Sequence, residues 1–283
     1  MMKRILDRIG SSDQSGWLER DGPRAVLAAI LLIYRVIRSG GFPEPRNYAL
    51  AFTFSTAFFL FAGIALLFVD ERPSESPARR FNLIGNLRYS VQLARENPNL
   101  ARLMVVNMAV GALTSMLQFY TLYWREAGTM TAGALVLATV IQVFWQSLSS
   151  SILGRVADRL GNRVVVYRLL WVEALIPLVA LALGGFDPFR GHWGWYMGVY
   201  ALVGFRFPLF QLLVNYLLEI VPQRDHAMAL GAVTTVQLIT APAPLLFGGL
   251  ARAWGFPAAF LAGAAIGIYG CIVARGLEEV RVK

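Results

Sequence analysis

The sequence predicts an all-α integral membrane protein with about seven or eight transmembrane helices. Three observations carry that expectation. First, 57% of the 283 residues are hydrophobic and only 15% are charged, whereas charged residues make up about a quarter of an ordinary soluble domain. Second, the apolar residues gather in stretches of about 20, the length of helix that crosses ~30 Å of hydrocarbon. Third, the basic residues fall in the breaks between those stretches and favour alternate breaks. Isolated strands are excluded, because lipid leaves their backbone polar groups unsatisfied.

In chain order, residues 1–24 are polar and lack the apolar core and small-residue cleavage site of a signal peptide. The stretch 25–37 is apolar but short, and Arg35 interrupts it. Phe42, Pro43 and Pro45 then break the chain, and 48–69 is a clear Phe-rich span. A polar connector, 70–102, contains Pro73, Pro77 and the pair Arg79-Arg80. Within it Phe81, Ile84, Leu87 and Val91 recur at helical spacing, which predicts a short helix on the membrane surface. Asn97 or Asn99, flanking Pro98, caps the next helix. Six spans follow, at 103–124, 131–153, 164–183, 195–218, 228–250 and 258–274. Most connectors are short, so successive spans are antiparallel neighbours. The expected layout is an N-terminal segment 1–24, two helices in 25–69, the connector 70–102, a six-helix bundle 103–275 and a tail 276–283.

Charge sets the expected orientation. With all eight stretches spanning and the N-terminus inside, nineteen of the 26 Lys and Arg fall on the inner side. Arg35, Arg38, Arg46, Arg125, Arg190 and Arg252 fall outside, and Arg206 lies within a span. By the positive-inside rule both termini are then cytoplasmic in a multi-pass cell-membrane protein. Tyr48, Trp124, Trp193, Trp195 and Trp254 fall at the outer boundary, as an aromatic belt would.

Composition also excludes. The net charge of +9 does not indicate a nucleic-acid partner, because the basic residues sit between apolar runs rather than on one face. Cys271 is the only cysteine, which leaves no intrachain disulfide and no cysteine metal site. His192 and His226 are the only histidines and lie far apart in sequence. Neither G-x-S-x-G nor H-E-x-x-H occurs. The chain is therefore expected to be no enzyme and to hold neither cofactor nor metal.

The stretch 154–163, G-R-V-A-D-R-L-G-N-R, has four charged residues in ten between two apolar segments. It reads as a tight charged turn, with Gly154 and Gly161 permitting close approach. Asp158 falls near the start of a helix opening at Val164, where the dipole favours a carboxylate by about 0.3–1 kcal/mol. Arg155, Arg159 and Arg163 are its candidate partners. The pattern resembles the signature of the major facilitator superfamily through Gly154, Ala157, Asp158, Arg159, Gly161 and Arg163. Asn162 stands where a basic residue is usual. Four spans follow the stretch, so it resembles the weaker copy of the signature, between that family's helices 8 and 9. Leu218 to Arg224 with Ala227 and Gly231 resemble the loop between helices 10 and 11, and Pro244 with Gly248-Gly249 resembles helix 11.

That resemblance implies a fold of two six-helix halves, of which this chain matches helices 6 to 12 and a stunted helix 5. It implies secondary transport of a small-molecule solute by alternating access. The implied partners are the lipid bilayer and either a missing N-terminal half or a second copy. The alternative is a truncated or split member that inserts but does not transport alone. For Gly154, Asp158, Arg159, Gly161 and Arg163 the implied role is a conformational latch. The competing reading is a topology anchor, which accounts for the arginines but not for the Asp and paired Gly.

Two further sets of residues are candidates. Arg206 lies mid-span, where a charge costs at least about 2.5–3.5 kcal/mol on insertion scales. Glu173 lies at a matching depth in the preceding span, so an intramembrane pair is expected, either a static lock or a coupling element. Asn107, Thr114 and Gln118 fall on one helix face, as do Gln142, Gln146 and Ser149 on the next span. Thr234, Gln237 and Pro244 mark a third, and Gln211 and Asn215 extend the Arg206 helix. These stripes either line a polar cavity or bond helix to helix, at about 0.6 kcal/mol per pair. Gly263 and Gly267 have a close-packing spacing.

Overall fold

The structure, a computed structural model, describes Arg35 and residues 46–67, 83–126, 130–185 and 193–279. The expected first segment, 25–37, lies outside the described residues except for Arg35. The chain divides into two compact units, Met1–Arg79 and Arg80–Lys283. In the first, helix α1 (Arg46–Leu66) carries the Phe-rich stretch, with Phe52, Phe58, Phe59 and Phe61 exposed.

In the second unit the described residues form helices joined by short turns, with no strand among them, and six helices are long and apolar enough to cross a membrane. These are 98–126, 133–160, 162–185, 194–220, 226–254 and 256–275, matching the six expected bundle spans in order. Before them, α2 (Leu83–Glu96) is the expected short helix. Of its expected apolar face Val91 is exposed, and the side chains of Phe81, Ile84 and Leu87 lie outside the described residues; Leu93 and Ala94 pack on the bundle. The Tyr89 hydroxyl donates to Asp225 Oδ1 at 2.9 Å. Between α2 and α3 (Pro98–Thr114), Asn97 is the cap, its side chain accepting from the Asn99 and Leu100 amides.

Three spans are interrupted near their middles. The first is α3 followed by α4 (Leu117–Glu126). There the Thr114 and Ser115 hydroxyls donate back to the carbonyls of Val110 and Ala112, a habit that bends helices. The fourth is α7 (Trp193–Val203) followed by α8 (Arg206–Ile220). Pro208 has no N–H to offer the Gly204 carbonyl, so the helix breaks there. The fifth is α9 (His226–Gln237), a 3-10 turn at Leu238–Thr240, and α10 (Ala243–Trp254). Pro242 and Pro244 withhold donors from Leu238 and Thr240 in the same way. The second, third and sixth spans are single helices: α5 (Ala132–Leu160), α6 (Asn162–Gly185) and α11 (Phe256–Arg275).

α11 packs on α6 and α3 as the centre of the unit. Its small residues set the spacing. A Cβ added at Gly267 would lie 2.7 Å from Ala174 Cβ, and one at Gly270 2.8 Å from Ala109 Cβ. Trp124 corrects the aromatic-belt expectation. It is fully buried and stacked on Tyr196, with centroids 5.1 Å apart. Trp195 and Trp254 are exposed, and the side chains of Tyr48 and Trp193 lie outside the described residues.

Candidate functional site

The site builds from the breaks. When α3 ends at Thr114, its last carbonyls lose their helical donors. Arg206 begins α8 at the neighbouring break, and its Nη1 lies 3.5 Å from the Thr114 carbonyl oxygen. Its Nε and Nη2 donate to Glu173 Oε2 on α6, at 3.1 and 2.8 Å. The expected Glu173–Arg206 pair is thus present and links three spans. Glu173 is 1% exposed and the Arg206 side chain 12%.

Two polar atoms here have no hydrogen-bond partner among the described residues: Glu173 Oε1 and the Tyr120 hydroxyl. Tyr120 belongs to α4, is buried, and lies within Coulombic range of both charges. Pro177, inside α6, also withholds an N–H from the Glu173 carbonyl. The cluster therefore holds one cation and one anion, with one carboxylate oxygen and one phenol hydroxyl left without a hydrogen bond. Tyr120 and the Thr114 carbonyl were not legible as members from sequence, since they join through a helix break. Gly263 and Gly267 support the cluster from behind, against Met116 and Ala174.

The remaining candidates are dispersed. Asn107 is buried and bonds its own helix at the Leu103 carbonyl, 3.4 Å. Gln118 lies beyond the break and is exposed, so the expected Asn107–Thr114–Gln118 face is not continuous. Gln142 and Gln146 are half-buried on α5. The Gln142 carbonyl lies 2.8 Å from a Cβ built at Gly204, and the Gln146 carbonyl accepts from Ser149 and Ser150. Gln237 is half-buried and lies beside Gly111 of α3, together with Thr240. Gln211 and Asn215 are exposed.

The stretch 154–163 is not a loop. α5 runs through it to Leu160, Gly161 turns the chain with φ 89°, and α6 opens at Asn162. Glycine suits that left-handed turn. Asp158 therefore sits in the last turn of α5, where the dipole disfavours a carboxylate, which reverses the expected effect. Gly154, Ala157, Asp158 and Asn162 face Leu212, Asn215 and Glu219 of α8 across a cavity of about 270 Å³. Asn162 Nδ2 donates to Glu219 Oε1 at 2.8 Å. Arg159 is exposed, and Arg163 donates to the Arg275 carbonyl at 3.3 Å.

Beside this turn lies a network that sequence reading missed. Asn99 of α3 and Tyr216 of α8 bond each other, the Tyr216 hydroxyl donates to the Glu278 carbonyl at 2.7 Å, and the Glu278 amide donates to Asn99 Oδ1 at 3.1 Å. Leu277 is buried beneath it. Gly161 lies against the Glu279 carboxylate.

Fold and site together define the class: an all-helical protein with six helices long and apolar enough to cross a membrane and an ion pair buried among them. No family model, curated protein or solved structure matches the chain.

Proposed function

We propose that the chain is a secondary transporter of the major facilitator kind, in a cell membrane with both termini cytoplasmic. It moves a small solute by alternating access. The observation that carries this reading is the Glu173–Arg206 pair where interrupted spans meet. Burying two charges costs several kcal/mol per ion, and apolar side chains would lock helices more cheaply. A pair that can exchange partners lets a bound solute or proton favour one arrangement over another. Glu173 Oε1 and the Tyr120 hydroxyl remain available for such a partner. In this reading Arg206 and Glu173 couple, Gln142, Gln146 and Gln237 border the path, and Gly154, Asp158, Arg159, Gly161 and Arg163 latch the inner end against α8.

The test is flux through liposomes containing the purified chain, loaded with a pH dye and held under a potassium diffusion potential. Sugars, amino acids and small carboxylates are offered in turn. The expected result is solute-dependent flux that Arg206→Gln and Glu173→Gln abolish without loss of folded protein. Normal flux in both variants removes the pair from the mechanism.

A second reading is favoured by Gln118 and Gln211, which are exposed within the spans. Polar groups there face a cavity or another bundle rather than lipid. The chain then works only against a second bundle, either a separate N-terminal half or a second copy. It predicts no flux from isolated monomers, and flux confined to preparations whose native mass shows an added bundle.

A further inference from the structure

The groove between α2, α3 and α9 has a use that transport does not require. It encloses about 460 Å³ and is walled by Val91 and Ala94 of α2, Met104 of α3, and Ala232 and Val236 of α9, with Arg95 among its lining residues. Its shape follows from the fold. α2 is held to the bundle by the Tyr89–Asp225 bond and by Leu93 and Ala94. Asn97 Nδ2 fixes the corner into α3 by donating to the Ile220 carbonyl at 3.3 Å. α2, α3 and α9 each pack on the other two, and the slot lies where the three meet.

The slot is polar at one end only. Arg95 is exposed in the last turn of α2 and has no ion-pair partner among the described residues. The nearby carboxylates are engaged: Glu96 accepts from Gln92 Nε2 at 2.7 Å, and Asp225 accepts from Tyr89. The lining runs from Pro98 to Met104 on α3 and from Ala232 to Val236 on α9, about 9 and 6 Å of helix rise, which is the length of the upper part of an acyl chain. A cation beside an apolar slot that takes the upper part of an acyl chain matches one molecule class, a lipid with an anionic headgroup.

We propose that this groove binds one anionic phospholipid, its headgroup on Arg95 and one acyl chain between Met104 and Val236. α2 is thereby a lipid clamp as well as a connector. The proposal stands independently of any transport activity.

The test is native mass spectrometry of the full chain in a nonionic detergent, titrated with phosphatidylglycerol, with phosphatidylcholine of the same chains, or with glycerol 3-phosphate. One tightly held phosphatidylglycerol is expected, bound at least about fivefold more tightly than phosphatidylcholine, the effect of one basic residue at a membrane surface. Arg95→Gln should remove that preference. Val91→Trp, at an exposed position and so safe for folding, should reduce binding of both lipids. Arg168→Gln, at an exposed arginine on α6, should change nothing. Equal binding of the two lipids overturns the proposal. So does equal loss in Arg95→Gln and Arg168→Gln, which would be diffuse surface charge. Tight binding of glycerol 3-phosphate overturns it too, since that would be an anion site without a chain.

Discussion

Replacing Glu173 and Arg206 by leucine, singly and together, tests whether the buried pair is one energetic unit. Arg206 places two charge-assisted bonds on a single oxygen of Glu173, at 3.1 and 2.8 Å. Removing one partner of a buried pair costs about 3–5 kcal/mol, because the other charge is stranded. The two single changes should differ. A guanidinium stays charged whatever its surroundings, so Glu173→Leu belongs at the upper end, about 5 kcal/mol. A stranded carboxyl can be relieved by protonation, which puts Arg206→Leu nearer 3 kcal/mol. The double replacement strands nothing and should cost no more than about 2 kcal/mol, since apolar substitutes for buried pairs are often close to neutral. Unfolding of the full chain in mixed micelles, on raising the fraction of denaturing detergent and following near-ultraviolet circular dichroism, gives the three values. Additivity within about 0.5 kcal/mol, the behaviour of independent sites, would refute the reasoning. A double variant weaker than either single would refute it equally.

Other changes read out the packing and the caps by the same unfolding measurement. Gly267→Ala forces a Cβ to within 2.7 Å of Ala174 Cβ and should destabilise by about 1–3 kcal/mol. Gly231→Ala meets nothing within 4 Å and should be neutral or stabilising by up to about 1 kcal/mol. Asn97→Ala removes the cap of α3 and should cost about 1 kcal/mol. Tyr216→Phe deletes the hydroxyl that joins Asn99 to Glu278, worth about 1–2 kcal/mol, and hydrogen exchange at Leu277 to Glu279 should quicken.

The spans were legible because length and apolarity are what a bilayer demands, and both are local properties. Their interruptions were less so. Pro208, Pro242 and Pro244 announce missing donors, but at Ser115 only a pair of hydroxyls marks the bend, and such residues occur in many unbroken helices. The stretch 154–163 misled because charge suggests a loop. A helix that has reached the aqueous boundary can carry charge on its last turns, and here only Gly161 leaves helical geometry. Trp124 misled for a related reason. Sequence position places it near an interface but says nothing about its azimuth, which stacking on Tyr196 fixes. The Glu173–Arg206 pair was legible because two mid-span charges of opposite sign leave each other few alternatives. Tyr120 carries no such constraint, and only the tertiary arrangement brings it to the pair.

The interrupted spans bear on how the chain enters the bilayer. α4, α7 and α10 contain 10, 11 and 12 residues, which is roughly 15–18 Å of helix. None reaches across ~30 Å alone. The backbone groups freed at each junction must find partners in other segments, as the Thr114 carbonyl does in Arg206. α6 and α11, of 24 and 20 residues, are each long enough to span alone, although Pro177 frees one carbonyl within α6. We expect biogenesis to be cooperative, with the broken segments retained only after an unbroken neighbour has arrived. Site-specific crosslinking of arrested nascent chains to lipid would show this order. Early, stable lipid contact by α7 before α8 has emerged would contradict it.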